Sequence, residues 1–305
     1  MLPKPLRGVV PPMVTPLLEN DKLDVKGLER LVEHILAGGV HGLFLLGTTG
    51  EAPDLSYGLR HELVKRVCKL VKGRVPVLTG VTDTVFTESL RLAETAAEAG
   101  AVATVAAPPY YFAPGQPELV EYYNHLADSL PLPLFLYNMP SHTKVMIDPY
   151  TVKALSENAN IVGIKDSSAN IVYFNAVRHI LRDRADFAVL LGPEEALGEV
   201  VLMGAHGGVC GGANIFPRLF VDVYEAAVAK NVARVLELQE RVMTVSGALY
   251  GVGRHMSSFL KGVKCSLDLM GICGDYMADP FSRFREEERA IIRERLIALG
   301  VKVKQ

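Results

Sequence analysis

Short apolar runs alternate along this chain with longer segments whose apolar residues recur at helical spacing. The clearest helical segment follows Asp24, a residue type that caps helix N-termini, and it closes at the glycine pair 38–39. Within this segment the apolar residues share one face of a helix: Leu28, Leu31, Val32, Ile35 and Leu36. Residues 87–99 and 117–130 are examples of later segments that are long enough for one helix each. The pattern predicts a chain in which strands and helices alternate.

The apolar runs between the helical segments predict eight strands. The first covers residues 8–15 despite its prolines, and the other seven end at Gly47, Gly80, Ala107, Tyr137, Lys165, Gly192 and Gly211. Because the runs are apolar throughout, we expect parallel strands that are covered on both faces. Eight strand-plus-helix units predict an α/β fold of the TIM (β/α)8 barrel type. A doubly wound open sheet is the alternative, but it leaves the even spacing of the units unexplained.

Helical patterning continues beyond the eighth unit. It runs from about residue 231 to the end, with a glycine-rich interruption near residues 251–253. We therefore expect the barrel, carrying the active site, over residues 1–228 and a small C-terminal helical extension over residues 229–305.

Composition and charge narrow the classes of function. The 305 residues are 49% hydrophobic and carry a formal charge of −2, which argues against a nucleic-acid partner. The sequence has neither an apolar run long enough to span a membrane nor the hydrophobic core of a signal peptide, so a cytoplasmic enzyme is expected. The histidines show no metal-ligand spacing, and the four cysteines match neither a zinc site nor a disulfide framework. The prediction is a site without a metal ion.

The run that ends at Lys165 carries the first candidate for chemistry. A lysine at the carboxyl end of a buried strand loses hydration that its ammonium ion needs, so its pKa should fall toward neutrality and leave some free amine. Such an amine can attack a ketone. Since barrel enzymes carry their reactive groups at the carboxyl ends of strands, Lys165 is the candidate nucleophile. The alternatives are a solvated surface lysine, a partner for Asp166, or a loop cap.

Other strand ends supply polar groups that could serve the same site. Gly47, Thr48 and Thr49 offer hydroxyls and backbone amides suited to binding a carboxylate. The alternative is an ordinary turn between a strand and a helix, in which the threonines cap the helix. Tyr111 and Tyr137 follow the fourth and fifth strands, where a phenol can relay protons or simply pack a loop. Each residue alone is ambiguous, but their joint position at the barrel mouth favours a site.

These segments resemble, in order and spacing, a family of pyruvate-dependent class I aldolases, the dihydrodipicolinate synthase / N-acetylneuraminate lyase family. The motifs that carry the resemblance are Gly47-Thr48-Thr49-Gly50-Glu51, Pro109-Tyr110-Tyr111, Tyr137-Asn138-x-Pro140 and Gly163-Ile164-Lys165-Asp166. The resemblance covers nearly the whole chain. It implies a TIM barrel with a helical C-terminal extension, a homotetramer built as a dimer of dimers, and no metal or organic cofactor.

The resemblance also implies roles for single residues. Lys165 matches the lysine that forms a Schiff base with pyruvate, and Tyr137 matches the tyrosine that shuttles protons. Thr48 and Thr49 match the pair that relays protons and holds the pyruvate carboxylate. Two further matches are Tyr111, which corresponds to a tyrosine that reaches into a neighbouring subunit's site, and Val209, whose backbone carbonyl approaches the keto acid.

The resemblance leaves the aldehyde partner of pyruvate undecided. His142 stands where the synthases place an arginine that clamps aspartate semialdehyde, and an imidazole cannot make the bidentate contact of a guanidinium. Lys144 could act only as a point charge. Three polar residues could instead bind substrate hydroxyls, as in the sugar-acid lyases of the family: Ser167, Glu194 and Glu195. The two glutamates could equally occupy the first turn of a helix, where acids are favoured.

We therefore expect a Schiff-base aldolase or lyase that joins pyruvate to an aldehyde, or cleaves the product, with a hydroxylated 2-keto acid as substrate. The alternative is a 4-hydroxy-tetrahydrodipicolinate (dihydrodipicolinate) synthase that condenses pyruvate with aspartate semialdehyde. A third hypothesis is a non-catalytic barrel that only binds a keto acid. It has no need for the amine of Lys165.

Overall fold

The computed structural model of the protein describes residues 2–304. Its strands are β1 (Gly8–Val9), β2 (Leu17–Glu19), β3 (Lys22–Leu23), β4 (Leu43–Leu45), β5 (Val77–Gly80), β6 (Ala103–Ala106), β7 (Leu134–Asn138), β8 (Ile161–Asp166), β9 (Ala188–Leu191) and β10 (Gly207–Gly208). Eight of them form one parallel sheet in the order β1-β10-β9-β8-β7-β6-β5-β4, whereas β2 and β3 form a separate antiparallel hairpin that the sequence pattern did not predict.

The sheet closes on itself between its first and last strands. The backbone N–H of Met13 donates to the carbonyl of Phe44 at 2.9 Å, and the N–H of Phe44 donates to the carbonyl of Pro11 at the same distance. These bonds join the chain that follows β1 to β4 and leave no open edge at this point. The predicted barrel is confirmed.

The first strand is shorter than the predicted residues 8–15, because Pro11 and Pro12 have no N–H to give to a ladder. The side chain of Asn214 replaces part of the missing pairing. Its Oδ1 accepts from the N–H of Val14 at 3.1 Å, and its Nδ2 donates to the carbonyls of Pro12 at 2.9 Å and Gly211 at 2.7 Å. The eighth barrel strand likewise ends at Gly208 rather than Gly211, and a 3-10 turn follows it.

Helices surround the barrel and cover its outer face. They are α1 (Val25–Ala37), α2 (Tyr57–Val71), α3 (Phe86–Ala99), α4 (Gln116–Ser129), α5 (Pro140–Thr143), α6 (Pro149–Leu155), α7 (Ile171–Ile180), α8 (Leu197–Leu202), α9 (Pro217–Val228), α10 (Val232–Leu249), α11 (Ser258–Leu269) and α12 (Glu286–Ala298). The predicted cap of α1 is present, since Asp24 Oδ1 accepts from the N–H of Gly27 at 2.8 Å. Between residues 2 and 304, no helix is long and apolar enough to cross a membrane.

The last three helices form the predicted C-terminal extension. The interruption predicted near residues 251–253 lies between α10 and α11. Buried residues of these helices, such as Leu238, Val263 and Ile292, belong to the same apolar core that lies between the barrel strands and their helices. Because that core is continuous, the division at residues 228 and 229 stays a prediction.

A second, smaller apolar cluster fills the inside of the barrel. It includes Phe44, Phe135, Tyr137 and Val209. Residues on neighbouring strands are held in register, so that Tyr137 of β7 lies beside Lys165 of β8 and Asn138 lies beside Asp166. Side chains alternate along a strand, and this register therefore places Tyr137 and Lys165 on the same, inner face.

Candidate active site

A cavity of about 650 Å³ lies at the carboxyl ends of the barrel strands. It brings together every predicted site residue except Tyr111. These are Gly47, Thr48, Thr49, Tyr137, His142, Lys165, Ser167, Glu194, Glu195 and Val209.

Lys165 lies at the bottom of this cavity and is only 6% exposed. Its Nζ is 4.0 Å from the centre of the Tyr137 ring and 5.1 Å from that of Phe44. It forms no salt bridge with a carboxylate anywhere in the described part of the chain. The amine is therefore held against two aromatic rings and left open toward the cavity.

Asp166 does not pair with Lys165, because neighbouring residues of a strand point to opposite faces. Its Oδ1 accepts from Asn138 Nδ2 at 2.8 Å, and its Oδ2 accepts from Ser168 Oγ at 3.0 Å. The Oδ1 of Asn138 accepts in turn from the N–H of Ile147 at 3.0 Å. Burial raises the pKa of Asp166 above its ordinary value, and the hydrogen bonds offset part of that effect. This network fixes the ends of β7 and β8, and with them Tyr137 and Lys165.

The side chain of Tyr137 lies beside the amine and carries a phenolic hydroxyl. It is 5% exposed, and its hydroxyl lies 3.1 Å from Thr48 Oγ1. Burial raises the pKa of Tyr137, but the Lys165 ammonium and the Thr48 hydrogen bond outweigh burial, and the net pKa lies below the ordinary value of a phenol. A phenol with a lowered pKa next to an amine can both give and take a proton.

The loop after β4 forms the wall opposite Lys165. Residues Thr48–Gly50 make a single 3-10 turn in which the N–H of Gly50 donates to the carbonyl of Gly47 at 3.0 Å. A side chain at Gly47 would not fit, because its Cβ would lie 2.6 Å from Phe44 Cε1. Thr49 is 8% exposed and lines the cavity. The turn thus presents two hydroxyls toward the cavity.

Tyr111 lies outside this arrangement. It is 80% exposed, and its ring packs against that of Phe112 with 5.2 Å between the ring centres. Its neighbour Tyr110 lines the cavity instead. Within one chain, the structure does not bring Tyr111 to Lys165.

His142 lies in the short helix α5 that follows β7, and it lines the cavity. Partial burial, followed by the charges of Lys144 and Lys165, lowers the pKa of its imidazole, which favours the neutral form. Lys144 points elsewhere, since its Nζ donates to the carbonyl of Ser141 at 2.8 Å and it does not line the cavity. No arginine of the described chain lines the cavity either. Lys144 is therefore no substitute for an arginine clamp.

The two glutamates lie in a 3-10 turn, Glu194–Ala196, directly before α8. The carboxylate of Glu194 is 4% exposed and accepts from the hydroxyl of Tyr250 and, at 2.7 Å, from the N–H of Gly212. Glu195 accepts from Ser246 Oγ at 2.7 Å. Both glutamates line the cavity, but each carboxylate already accepts hydrogen bonds from groups of the protein. This weakens the hypothesis that they bind substrate hydroxyls.

Burial raises the pKa of Glu194 from 4.5 to about 7. The variant Glu194→Gln cannot ionise at this position, so its free energy of unfolding should lack the part of the pH dependence that Glu194 gives to the wild type. Between pH values of about 4.5 and 7 the folded wild type keeps a proton that the unfolded chain gives up, so its free energy of unfolding falls with rising pH. A pKa difference of this size corresponds to roughly 3 kcal/mol.

Urea unfolding of both proteins across this pH range tests the prediction. The stability of Glu194→Gln relative to the wild type should rise with pH, whereas Glu199→Gln on the exposed face of α8 should show no such trend. A constant difference between Glu194→Gln and the wild type would contradict the assigned burial effect.

The C-terminal extension also contributes to the cavity, which the sequence pattern did not reveal. The contributing residues are Met256, Ser257, Phe259, Leu260, Met277 and Phe281. They lie around and within α11 and in the segment after it, far along the chain from the strand ends. Apolar residues in a helical pattern carry no signal that distinguishes a cavity wall from ordinary packing.

The described residues contain no cluster of three or more histidine, cysteine or acidic side chains that could hold a metal ion. All four cysteines are buried thiols. Around the amine of Lys165 the cavity lining offers the phenol of Tyr137 and the hydroxyls of Thr48 and Thr49, with the imidazole of His142 and the hydroxyl of Ser167 in the same lining.

Comparisons with known proteins agree with this geometry. A family model described as the dihydrodipicolinate synthetase family matches residues 5–299. The 4-hydroxy-tetrahydrodipicolinate synthase of Ruegeria pomeroyi is 34% identical over 290 residues, which cover 94% of this chain and 96% of the relative. The structure of dihydrodipicolinate synthase from Bacteroides thetaiotaomicron matches with a TM-score of 0.95 at 56% identity, over 97% of this chain and 100% of the other. YagE of Escherichia coli K12, solved in complex with pyruvate, matches with a TM-score of 0.91 at 28% identity, over 97% and 99%.

Proposed function

The chain belongs to the dihydrodipicolinate synthetase family of pyruvate-dependent class I aldolases and lyases, and from that premise we propose that Lys165 is its Schiff-base lysine. One observation carries the proposal. The amine is buried against Tyr137 at 4.0 Å from the ring, without a carboxylate partner in the described chain, and faces a cavity with two threonine hydroxyls. The relative YagE, which shares the fold at 28% identity, was solved with pyruvate. A barrel that only binds a keto acid would not need such an amine.

The reaction begins with attack of the Lys165 amine on the keto carbon of pyruvate, and loss of water leaves an iminium ion. The iminium withdraws electrons, so the methyl group gives up a proton to water and the iminium becomes an enamine. The enamine carbon bonds to the aldehyde carbon, and Tyr137 donates its phenolic proton to the new alkoxide. Thr48 lies 3.1 Å from the phenol and can relay a proton from water back to the phenolate, and hydrolysis of the iminium then releases the product from Lys165.

In this proposal Thr49 and the backbone around Gly47 hold the carboxylate of pyruvate, and the backbone carbonyl of Val209 approaches the keto acid; all three residues line the cavity. Ser167 follows the end of β8 and lines the same cavity. In the proposed mechanism these residues bind and orient, and they do not exchange protons with the substrate. Neither a metal ion nor an organic cofactor enters any step.

Tyr111 acts, in this proposal, in a neighbouring subunit of a homotetramer built as a dimer of dimers. Its exposure of 80%, beside the 82% exposure of Phe112, supports that assignment, because large aromatic side chains that project together from a surface are typical of protein interfaces.

For the aldehyde, the comparisons favour aspartate semialdehyde over the hydroxylated compound that the sequence pattern suggested. Relatives that match over nearly their whole length are named 4-hydroxy-tetrahydrodipicolinate synthases. The engagement of Glu194 and Glu195 by protein groups points the same way, since it leaves those carboxylates fewer free acceptor sites. A synthase is therefore the first candidate.

A hydroxylated aldehyde is the second candidate. It is supported by the small number of basic side chains in the cavity lining that could bind a substrate carboxylate. Aspartate semialdehyde carries a carboxylate, yet the only basic residues among the described ones that line the cavity are Lys165 and His142. An uncharged, hydroxylated aldehyde needs no such clamp. Assays of the purified protein with pyruvate and either aspartate semialdehyde or a panel of hydroxylated aldehydes distinguish the two. Turnover of the semialdehyde alone would exclude the second candidate, and turnover of the hydroxylated aldehydes alone would exclude the first.

The variant His142→Arg should raise kcat/KM for aspartate semialdehyde. A guanidinium at this position could grip the carboxylate with two charge-assisted hydrogen bonds, each worth about 1.5–3 kcal/mol, so a gain of at least about tenfold is expected. The control His142→Gln keeps a polar group without the charge and should give no gain. If His142→Arg leaves kcat/KM for the semialdehyde unchanged, the residue at position 142 does not decide the choice of aldehyde.

A further inference from the structure

A buried ion pair joins the C-terminal extension to the threonine loop, and its acidic member, Glu51, also forms part of the cavity lining. Lys264 of α11 and Glu51, at the end of the loop, have side chains that are 0% and 1% exposed. The two residues are 213 positions apart in the chain. Neither belongs to the reacting groups described above.

The contacts of the pair join the threonine loop to the extension and to the segment that follows β1. Lys264 Nζ donates to Glu51 Oε1 and, at 3.0 Å, to the carbonyl of Thr15. The second carboxylate oxygen of Glu51 accepts from the N–H of Ala278 at 2.8 Å. Thr15 in turn donates its hydroxyl to the carbonyl of Gly50 at 2.7 Å. The loop is thus held from behind by two segments of the extension.

The backbone at Glu51 needs such support. Its φ of +57° lies in the left-handed region, which is uncommon for a residue with a side chain and persists where the surroundings enforce it. Its N–H donates to the carbonyl of Thr48 at 3.1 Å, so the conformation of Glu51 is tied to that of the turn. The Thr48 hydroxyl then reaches Tyr137.

Stability alone is a weak reason for this arrangement. Removing two charges from water is costly, and an apolar pair of similar volume is often as stable as a buried ion pair or more so. What the ion pair provides and an apolar pair cannot is a fixed direction for the carboxylate, and therefore for the loop that carries it.

We propose that Glu51 and Lys264 are positioning residues that hold Thr48 and Thr49 in the geometry required for the reaction at Lys165. The C-terminal extension is then part of the catalytic apparatus. The inference rests on the proposed Schiff-base function, since it concerns the same site.

Two charge-removing variants and their combination test the inference. Lys264→Met leaves a buried carboxylate without its cation and should lower the thermal midpoint strongly. The double variant Glu51→Gln/Lys264→Met removes both charges, so its thermal midpoint should recover toward that of the wild type. Its kcat/KM for pyruvate should nevertheless stay at least about tenfold below the wild-type value, because a small displacement of a catalytic group is enough for such a loss.

Borohydride trapping supplies a measurement that a general loss of folded protein would not reproduce. At saturating pyruvate the double variant should still form the adduct on Lys165 to full extent while its turnover remains low. Glu51→Gln alone keeps the shape of the side chain. It should also lower kcat/KM for pyruvate while still forming the adduct, and it provides the test if the methionine variants do not fold.

Arg184→Met is the control. It breaks an ion pair with Asp186, whose side chains are 24% and 58% exposed and lie before the N-terminal end of β9, at the opposite end of the barrel from the loop. It should lower the thermal midpoint and leave kcat/KM unchanged. Normal kcat/KM in the double variant, or in Glu51→Gln, would overturn the inference, as would an equal loss in Arg184→Met. Failure of the wild type to form an adduct would instead overturn the proposed function.

Discussion

Lys165→Ala should abolish turnover of pyruvate with any aldehyde, by at least about 10³-fold in kcat, because loss of a covalent nucleophile removes the whole reaction path. The structure offers no second amine for the task, since Lys165 is the only lysine of residues 2–304 that lines the cavity. The measurement is borohydride reduction in the presence of pyruvate, followed by intact mass. The wild type should gain one reduced pyruvate, and Lys165→Ala should gain none.

Lys153→Ala is the control for this experiment. Lys153 lies on α6 and pairs with Glu157 on the surface, at 2.8 Å, so its removal should change neither the adduct nor the rate. An adduct that persists in Lys165→Ala would assign the Schiff base to another amine. A wild type without any adduct would exclude the covalent mechanism altogether.

The barrel could be predicted from the sequence because eight apolar runs of strand length alternate, at even spacing, with segments of helical periodicity, and this spacing favours a barrel over a doubly wound open sheet. Strand-end chemistry followed from the fold, since the carboxyl ends of parallel strands converge whatever the details of the helices. That is why Thr48, Tyr137 and Lys165 were predicted together and lie around one cavity. Val209 and Glu194 came from the family resemblance, and neither argument revealed Tyr250, the partner of Glu194 from the extension.

Apart from the local β2–β3 hairpin, the main features that escaped prediction depend on contacts between distant parts of the chain. Asn214 bonds to Val14 across 200 positions, and Lys264 bonds to Glu51 across 213. Such pairs leave no periodic signal, because each partner looks locally like a polar residue in a loop or a lysine on a helix. The exposed position of Tyr111 was equally hidden. Strand-end position predicts nearness to the mouth, but the direction of a loop side chain is set by packing.

Tyr137 should be the second most sensitive position of the site. Tyr137→Phe keeps the ring against Lys165 and removes only the hydroxyl, so a loss in kcat of about 10²- to 10⁴-fold, the usual worth of a proton-transfer group, is expected. Borohydride trapping with pyruvate should survive, because attack by the amine precedes proton transfer to the aldehyde oxygen. Loss of the adduct in step with kcat would show that Tyr137 acts before carbon–carbon bond formation.

Thr48→Val tests the cause of the lowered pKa of Tyr137. The Thr48 hydroxyl bonds to the phenol at 3.1 Å and favours its ionised form, so removing that hydroxyl should raise the pKa of Tyr137 back toward its ordinary value. In an ultraviolet titration, with Tyr137→Phe subtracted to isolate this phenol, the ionisation step should move to higher pH in Thr48→Val. The limb of the pH–rate profile that reports the phenol should move in the same direction. An unchanged step would mean that the Lys165 ammonium alone outweighs the burial of Tyr137, and that Thr48 serves the substrate rather than the phenol.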